Sequence, residues 1–294
     1  MDIRKLPASA GAEWLLGAFG LLRKSPTGFG LLALTYAGLW LLLILVMRAA
    51  PAAGGALQMV FFLIGPLLIA GMIFAAHEVD EGRGASPAHL LAAVRMGKAG
   101  RVITTLVPQI IAMLICAVLL WLIVGQENIE KLLALSTKLQ TLAQQTQGAI
   151  DPNVMAGFIS ELPAGRLLLW MGAAATVLLA SLFFTLTIVP DMLFTDVRLL
   201  EAMKRSYRAC TQNLLALLVF LLLGFVLMIV FSVALGILGA LAGMIGGDVG
   251  MLMLNAFGNG FFVAFLAGSM YFAWKQMLGG GDAPAAAEAT GIAM

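Results

Sequence analysis

The chain has 294 residues, of which 62% are hydrophobic and only 11% are charged, and its mean hydropathy is +1.02. This composition excludes a soluble globular domain, because a single core could not bury so much apolar surface, and it indicates a polytopic membrane protein. The net charge of +2 gives no reason to expect nucleic acid as a partner.

The first predicted element is a short amphipathic helix over Ala10–Lys24. Apolar residues recur there at spacings of three and four, Arg23 and Lys24 lie at its C-terminal end, and Pro26 follows. Such a helix favours a position at the headgroup level, where it would lead into the first membrane span.

Six apolar segments free of Lys, Arg, Asp and Glu follow along the chain. A helix of about 20 residues crosses the hydrocarbon, and the bilayer offers no partner for unpaired backbone groups, so each segment should be a helix. We therefore predict an all-α bundle of six transmembrane helices in one membrane domain, residues 1–278. The predicted spans are residues 29–47, 56–76, 102–124, 167–189, 214–235 and 251–274. The end of the fifth span stays open, because residues 236–247 are apolar but contain five glycines.

The basic residues lie on alternate sides of these predicted spans. Thirteen of the 17 Lys and Arg residues fall on one side and four on the other. The positive-inside rule then predicts a multi-pass protein of a bacterial inner membrane with both termini in the cytoplasm. On this topology Cys210 should react with an impermeant thiol reagent only after the inner membrane has been opened.

Two further amphipathic helices are predicted on the cytoplasmic side. One begins with Ser86 as N-cap and Pro87 in the first turn, and the other begins near Asp196. Together with the first helix they supply the candidate lipid-headgroup residues, which are Arg23, Lys24, Arg95, Lys98, Arg101, Lys204, Arg205 and Arg208. These helices either act as elbows that orient the spans, or bind anionic phospholipid or a membrane-protein partner.

The only sizeable outward connection is residues 126–165. Leucines at spacings of three and four predict one amphipathic helix from Gln126 to about Leu142, and Asp151 opens a second, shorter one. We expect this insert to lie on the outer leaflet or cap the bundle; a periplasmic partner site or a gate is the alternative. The tail, residues 279–294, is rich in Gly and Ala and is predicted to be disordered in the cytoplasm.

Small residues recur every four positions along the sixth span, with two amides beside them. This pattern permits close helix contact, and it favours packing within the bundle over a homodimer seam or a substrate groove. The residues of this packing or groove candidate are Asn255, Ala256, Asn259, Gly260, Ala264 and Gly268.

Groups that could carry chemistry are few. His77, Glu78, Asp80, Glu81 and His89 could hold a divalent ion, but carboxylates beside basic helices are more simply explained by salt bridges. The sequence therefore predicts no metal site and no cofactor.

Polar groups inside the predicted spans are modest. Gln58 and Gln109 are candidates for polar positions near the middle of their spans. Because the chain lacks the known motifs of nucleophilic, phosphate-binding and zinc enzymes, we do not expect an enzyme.

Two stretches of the chain repeat one design: a span, an acidic exit, an amphipathic helix and another span. They cover residues 65–124 and 178–235, with little side-chain identity between them. The first contains Asp80-Glu81-Gly82-Arg83 before the helix of residues 86–94, and the second runs from Leu200-Glu201-Ala202 through Ser206 to Asn213-Leu214.

These phrases resemble six-span proteobacterial inner-membrane families of unknown function. Those families are similar in turn to the membrane domain attached to some glycerophosphodiester phosphodiesterases. The resemblance implies the fold and the inner-membrane address, and it suggests a connection with lipids. It does not imply the phosphodiester activity, because the catalytic barrel has no counterpart in this sequence.

Two functions remain open from the sequence. One is a non-catalytic inner-membrane protein associated with lipid or with a membrane complex, as the three basic helices suggest. The other is a transporter or flippase-like conduit for an apolar or amphipathic molecule, as the repeated design and the glycine-rich last spans suggest. A deep groove lined by Gln58, Gln109 or Asn259 would favour the conduit.

Overall fold

The structure is a computed structural model, and it describes residues 3–145, 155–157, 160 and 162–279. The start of the second outward helix at Asp151 and all of the tail after Gly279 lie outside the described residues.

The described chain is built from helices in the following order. The α-helices are α1 (Ala10–Lys24), α2 (Pro26–Ala49), α3 (Pro51–Asp80), α4 (Ala92–Arg95), α5 (Ala99–Ile103), α6 (Leu106–Val124), α7 (Gln126–Gln145), α8 (Ala164–Thr185), α9 (Ile188–Phe194), α10 (Leu199–Gln212) and α11 (Leu214–Met277). A 3₁₀ helix, Pro87–Leu91, precedes α4. The all-helical fold class is confirmed for this part of the chain.

Five helical stretches are long and apolar enough to cross a membrane. They are Pro26–Ala49, Ala52–Asp80, Ala99–Val124, Ala164–Phe194 and Leu214–Met277. The length and apolar character of these helices are those of a membrane protein, as the composition predicts.

The longest helix, α11, contains 64 residues and is interrupted at Gly247, where φ is 59° and ψ is −151°. The positive φ is one that glycine adopts readily. Residues on either side of the break lie side by side, since the rings of Phe231 and Phe262 stack with centroids 5.1 Å apart. In a straight helix these residues would be about 46 Å apart. The apolar run after residue 235 thus continues as helix and folds back at Gly247.

The chain divides into two compact units, one formed by Met1–Leu106 with Phe183–Met294 and the other by Val107–Leu182. In the second unit, Trp170 Nε1 donates to the Cys116 carbonyl oxygen at 3.0 Å. All the candidate sites described below lie in the first unit, except Gln109.

The core of the first unit lies where α1, the C-terminal part of α3, the short helices and the C-terminal part of α11 meet. Large side chains below 2% exposure come from each of these elements and from α2: Trp14, Leu21, Phe29, Leu32, Met72, Ile73, Ile188, Met192, Leu193, Tyr271 and Met277. By contrast, many apolar residues of α2, early α3 and the middle of α11 remain exposed. Such residues suit contact with lipid hydrocarbon rather than with water.

The segment before α1 is fixed to the start of α11 by one buried amide. Asn213 Oδ1 accepts the Leu6 backbone N–H at 2.7 Å, and Asn213 Nδ2 donates to the Arg4 carbonyl oxygen at 3.0 Å. The Arg4 backbone N–H in turn donates to the Met277 carbonyl oxygen at 3.1 Å. These bonds join residues more than 200 positions apart, so the segment before α1 is held between the two ends of α11.

Candidate functional site

Polar side chains gather at the C-terminal ends of α3 and α11 in the first unit. Lys275 Nζ lies 2.6 Å from Asp80 Oδ2, and the Tyr271 hydroxyl donates to the same oxygen at 2.9 Å. His77 Nδ1 is 3.3 Å from that hydroxyl. These four residues form a connected network that ties one helix end to the other.

A second acidic group, Asp191 on α9, has no exposed surface. Its Oδ1 is 3.3 Å from Arg205 Nη2 and accepts from Trp274 Nε1 at 3.1 Å. Its Oδ2 and the Thr187 hydroxyl, four residues earlier, have no hydrogen-bond partner among the described residues. A buried carboxylate with only one oxygen paired carries a large desolvation cost, so this ion pair fixes the arrangement of α9 and α10 more than it adds stability.

Phe194 packs between these two acidic groups. Its ring centroid lies 5.0 Å from that of His77 and 5.0 Å from that of Trp274. The aromatic contacts join the ends of α3, α9 and α11. We call His77, Asp80, Asp191, Phe194, Arg205, Tyr271, Trp274 and Lys275 the polar cluster.

Two of the predicted headgroup residues cap the end of α9 instead of remaining free. Lys98 Nζ donates to the carbonyl oxygens of Leu193 and Thr195 at 2.9 and 3.3 Å. Arg101 Nη1 lies 2.8 Å from Asp196 Oδ1, and the hydrogen bond from Arg101, with the charge of Lys98, lowers the pKa of the Asp196 carboxyl. The last carbonyls of a helix lack intrahelical partners, so these cations satisfy groups that would otherwise depend on water.

The remaining headgroup candidates fall into two groups. Arg205 is paired with buried Asp191. The other five are exposed and form no ion pair with a described residue: Arg23, Lys24, Arg95, Lys204 and Arg208. They lie on α1, α4 and α10, so all three predicted basic segments present free positive charge.

The acidic residues after α3 are engaged in ion pairs. Glu78 forms a bidentate pair with Arg83, at 2.6 and 2.7 Å, while Asp80 pairs with Lys275. The salt-bridge interpretation is confirmed for these two carboxylates. Among the described residues, no three His, Cys, Asp or Glu side chains are grouped as metal ligands would be.

The His89 side chain accepts a backbone hydrogen bond in the segment just after α3. The Ser86 side chain caps the 3₁₀ helix, and the Ser86 backbone N–H donates to His89 Nδ1 at 3.3 Å. Burial lowers the pKa of His89, which favours the neutral ring that can accept this bond.

The small-residue stripe of the last span lies buried within the first unit. Ala256, Gly260, Ala264 and Gly268 are all buried. A Cβ on Gly260 would lie 2.5 Å from the Ala33 carbonyl oxygen, so α2 and α11 approach as closely as glycine permits. The two amides point elsewhere: Asn255 and Asn259 are exposed, and Asn255 Nδ2 donates to its own helix.

An apolar groove of about 510 Å³ lies between α1 and α11. Its walls are aliphatic and phenyl groups, including Leu16 and Phe19 of α1 and Val230 of α11. Gln58, Gln109 and Asn259 are exposed side chains that take no part in lining it.

No protein-family model, curated protein or solved structure matches this chain. The functional argument therefore rests on the chain's own residues.

The sequence did not single out several residues that organise this region. Tyr271 and Trp274 stood inside an apolar span, and Asn213 stood at a helix boundary, where an amide is common. A Tyr and a Trp beside the only basic residue at the end of the last span were the available signal, since such side chains usually find a polar partner when buried.

Proposed function

We propose that this protein crosses a bacterial inner membrane six times, with both termini in the cytoplasm. The fold-back of α11 at Gly247 supports two crossings within that helix. Together with the other four long helices this makes an even number, and it agrees with the alternation of basic residues.

We further propose that the protein is non-catalytic and associates with anionic phospholipid at its cytoplasmic end. The observation that carries this proposal is the set of five exposed basic residues on three helices that no described carboxylate neutralises. The cytoplasmic leaflet is negatively charged, and each basic residue near it contributes about 1 kcal/mol of attraction. The polar cluster fastens the ends of α3, α9 and α11 together, and through Arg205 it holds the basic helix α10.

Orientation is tested by labelling single cysteines placed at exposed positions in a Cys116→Ala/Cys210→Ala chain. Ser136→Cys on α7 should react with an impermeant thiol reagent in intact spheroplasts. Lys204→Cys on α10 should react only after the membrane has been opened. Labelling of both, or of Lys204→Cys alone, in intact spheroplasts would refute the topology.

Lipid association is tested by measuring the anionic lipid that co-purifies with each variant. Lys204→Glu and Arg208→Glu should each reduce the retained fraction of anionic lipid, whereas Lys131→Glu on α7 should leave it unchanged. Arg205 is kept, because its loss would leave buried Asp191 without its cation. Equal retention in all variants would contradict the proposal.

The conduit is the second candidate, and the apolar groove beside α1 is the observation in its favour. A conduit predicts that a variant with the groove filled loses transfer of an apolar fluorescent probe between leaflets of reconstituted vesicles. We rank it second because the polar span residues expected along a pathway lie outside this groove.

A further inference from the structure

The apolar groove between α1 and α11 lies beside two basic residues, Arg23 and Lys24, at the end of α1. Leu16 and Phe19 lie on its α1 wall and are 69% and 55% exposed. Arg23 follows Phe19 by four positions, which places both on one face of the helix. The exposed apolar stripe of α1 therefore ends in a cation.

The basic end of this stripe borders a shallow, largely open depression. Gly20, Arg23 and Lys24 line this second site, which has a volume of about 330 Å³. A Cβ on Gly20 would have no atom within 4 Å, so the space beside the two cations is open. Neither cation forms an ion pair with a described residue.

These two cavities together match the two parts of one ligand. We propose that an anionic phospholipid binds here, with an acyl chain in the apolar groove and its phosphate at Arg23 and Lys24. The groove volume lies within the range of small-molecule sites, and its walls offer only hydrocarbon contacts. Lys204 and Arg208 are also exposed but line neither site, so they would attract anionic lipid without holding one molecule.

This inference rests on the proposed membrane insertion, with the basic helices at the negatively charged leaflet. The test uses the full chain in nanodiscs of phosphatidylcholine that contain a small fraction of phosphatidylglycerol with a photoactivatable acyl chain. Cross-links should concentrate on groove residues of α1 and α11, and they are mapped by peptide mass spectrometry.

Two pairs of variants separate a specific site from general attraction. Arg23→Gln/Lys24→Gln should lower groove labelling about thirtyfold, whereas Lys204→Gln/Arg208→Gln should leave groove labelling unchanged. Val230→Trp, which fills the groove, should abolish labelling, whereas Val233→Trp should not, since Val233 is on the same helix, is similarly exposed (58% against 59%) and does not line the groove.

Each remaining outcome has a definite meaning. An equal decrease in both glutamine pairs would overturn the groove site and leave general lipid association standing. Labelling that no variant changes and that spreads over all exposed apolar helices would contradict both proposals. Loss of labelling together with a disulfide-linked dimer through Leu16→Cys would show that a second copy of the chain covers the groove, and would overturn the lipid site.

Discussion

The ammonium of Lys275 lies 2.6 Å from a carboxylate oxygen of Asp80, a residue 195 positions earlier in the chain. This ion pair joins the last turns of two long helices, α3 and α11. Both side chains are largely buried, at 26% and 15% exposure. Exposed ion pairs contribute little, but removal of one partner from a shielded pair leaves an uncompensated charge.

We therefore expect strong coupling between these two residues. Lys275→Met alone should destabilise the protein by about 2 kcal/mol, and Asp80→Asn in the same background should recover part of that loss. The measurement is a double-mutant cycle on the free energy of unfolding in detergent. A coupling energy below about 0.5 kcal/mol would show that the pair is no stronger than a surface contact.

The closest backbone approach to α3 predicts the cost of one added methyl group. A Cβ on Gly71 would collide with the Leu90 Cα and lie 2.6 Å from the His89 carbonyl oxygen, and neither backbone atom can move away easily. Gly71→Ala should cost about 1–3 kcal/mol. Gly65→Ala on the same helix is the matched control, since its Cβ would meet nothing within 4 Å, and it should be neutral or stabilising by up to about 1 kcal/mol. Melting temperatures in detergent that rank Gly71→Ala with Gly65→Ala would contradict the packing of the 3₁₀ helix against α3.

Lys98 should stabilise the protein mainly through its hydrogen bonds to backbone carbonyls and not through its charge alone. Lys98→Met removes the donor to the last carbonyls of α9, and we expect a loss of about 1–2 kcal/mol. Arg95→Met removes the same charge from an exposed neighbour that forms no ion pair with a described residue, and should change stability by less than about 0.5 kcal/mol. The comparison is made on unfolding free energies, and equal effects would show that the capping bonds contribute nothing.

The lowered pKa of His89 predicts a pH dependence of stability. Because the unfolded chain takes up the proton more readily than the folded ring, the contribution of His89 is fully present above its ordinary pKa of 6.5 and is lost as the pH falls below it. His89→Gln keeps an acceptor for the capping box but cannot titrate. The melting temperature of the wild type minus that of His89→Gln, measured between about pH 5 and about pH 8, should decrease toward acid, because only the wild type loses stability there. A constant difference would mean that the pKa of His89 is not lowered in the folded protein.

Cys210 is a poor reporter of orientation, contrary to the expectation from the sequence. Its side chain is completely buried, and burial raises the pKa of the thiol to about 12. The reactive thiolate is therefore almost absent at neutral pH. We expect Cys210 to remain unlabelled by an impermeant maleimide even in opened membranes and to react after unfolding in detergent. Rapid labelling in opened native membranes would show that α10 does not pack as described.

Local signals in the sequence predicted much of the helical framework. Ser86 and Pro87 marked a helix start because capping depends on a few adjacent residues, and the helix begins there. The boundaries of α1 followed from the basic end and from Pro26 for the same reason. The break at Gly247 could not be placed, because five nearby glycines offered equivalent choices.

The candidate site was harder to predict because its partners are distant in the chain. The pattern assigned Lys98, Arg101 and Arg205 to lipid headgroups along with the five exposed cations. Only the tertiary arrangement brings Leu193, Thr195 and Asp191 to them. Amphipathicity predicts which face of a helix is charged, but not whether that face meets lipid or another helix of the same protein.

The hydrogen bonds that Asn213 and Met277 form with Arg4 and Leu6 have a consequence for biosynthesis. Residues 4–24 emerge from the ribosome long before position 213 or 277 has been translated. During that interval α1 cannot occupy its final place, so Trp14 must wait without its partners Phe220 and Gln276. The N-terminal segment therefore reaches its final contacts only when the last helix has been made, and a stop codon shortly before residue 276 would leave the Arg4 N–H and the Trp14 indole N–H without their partners.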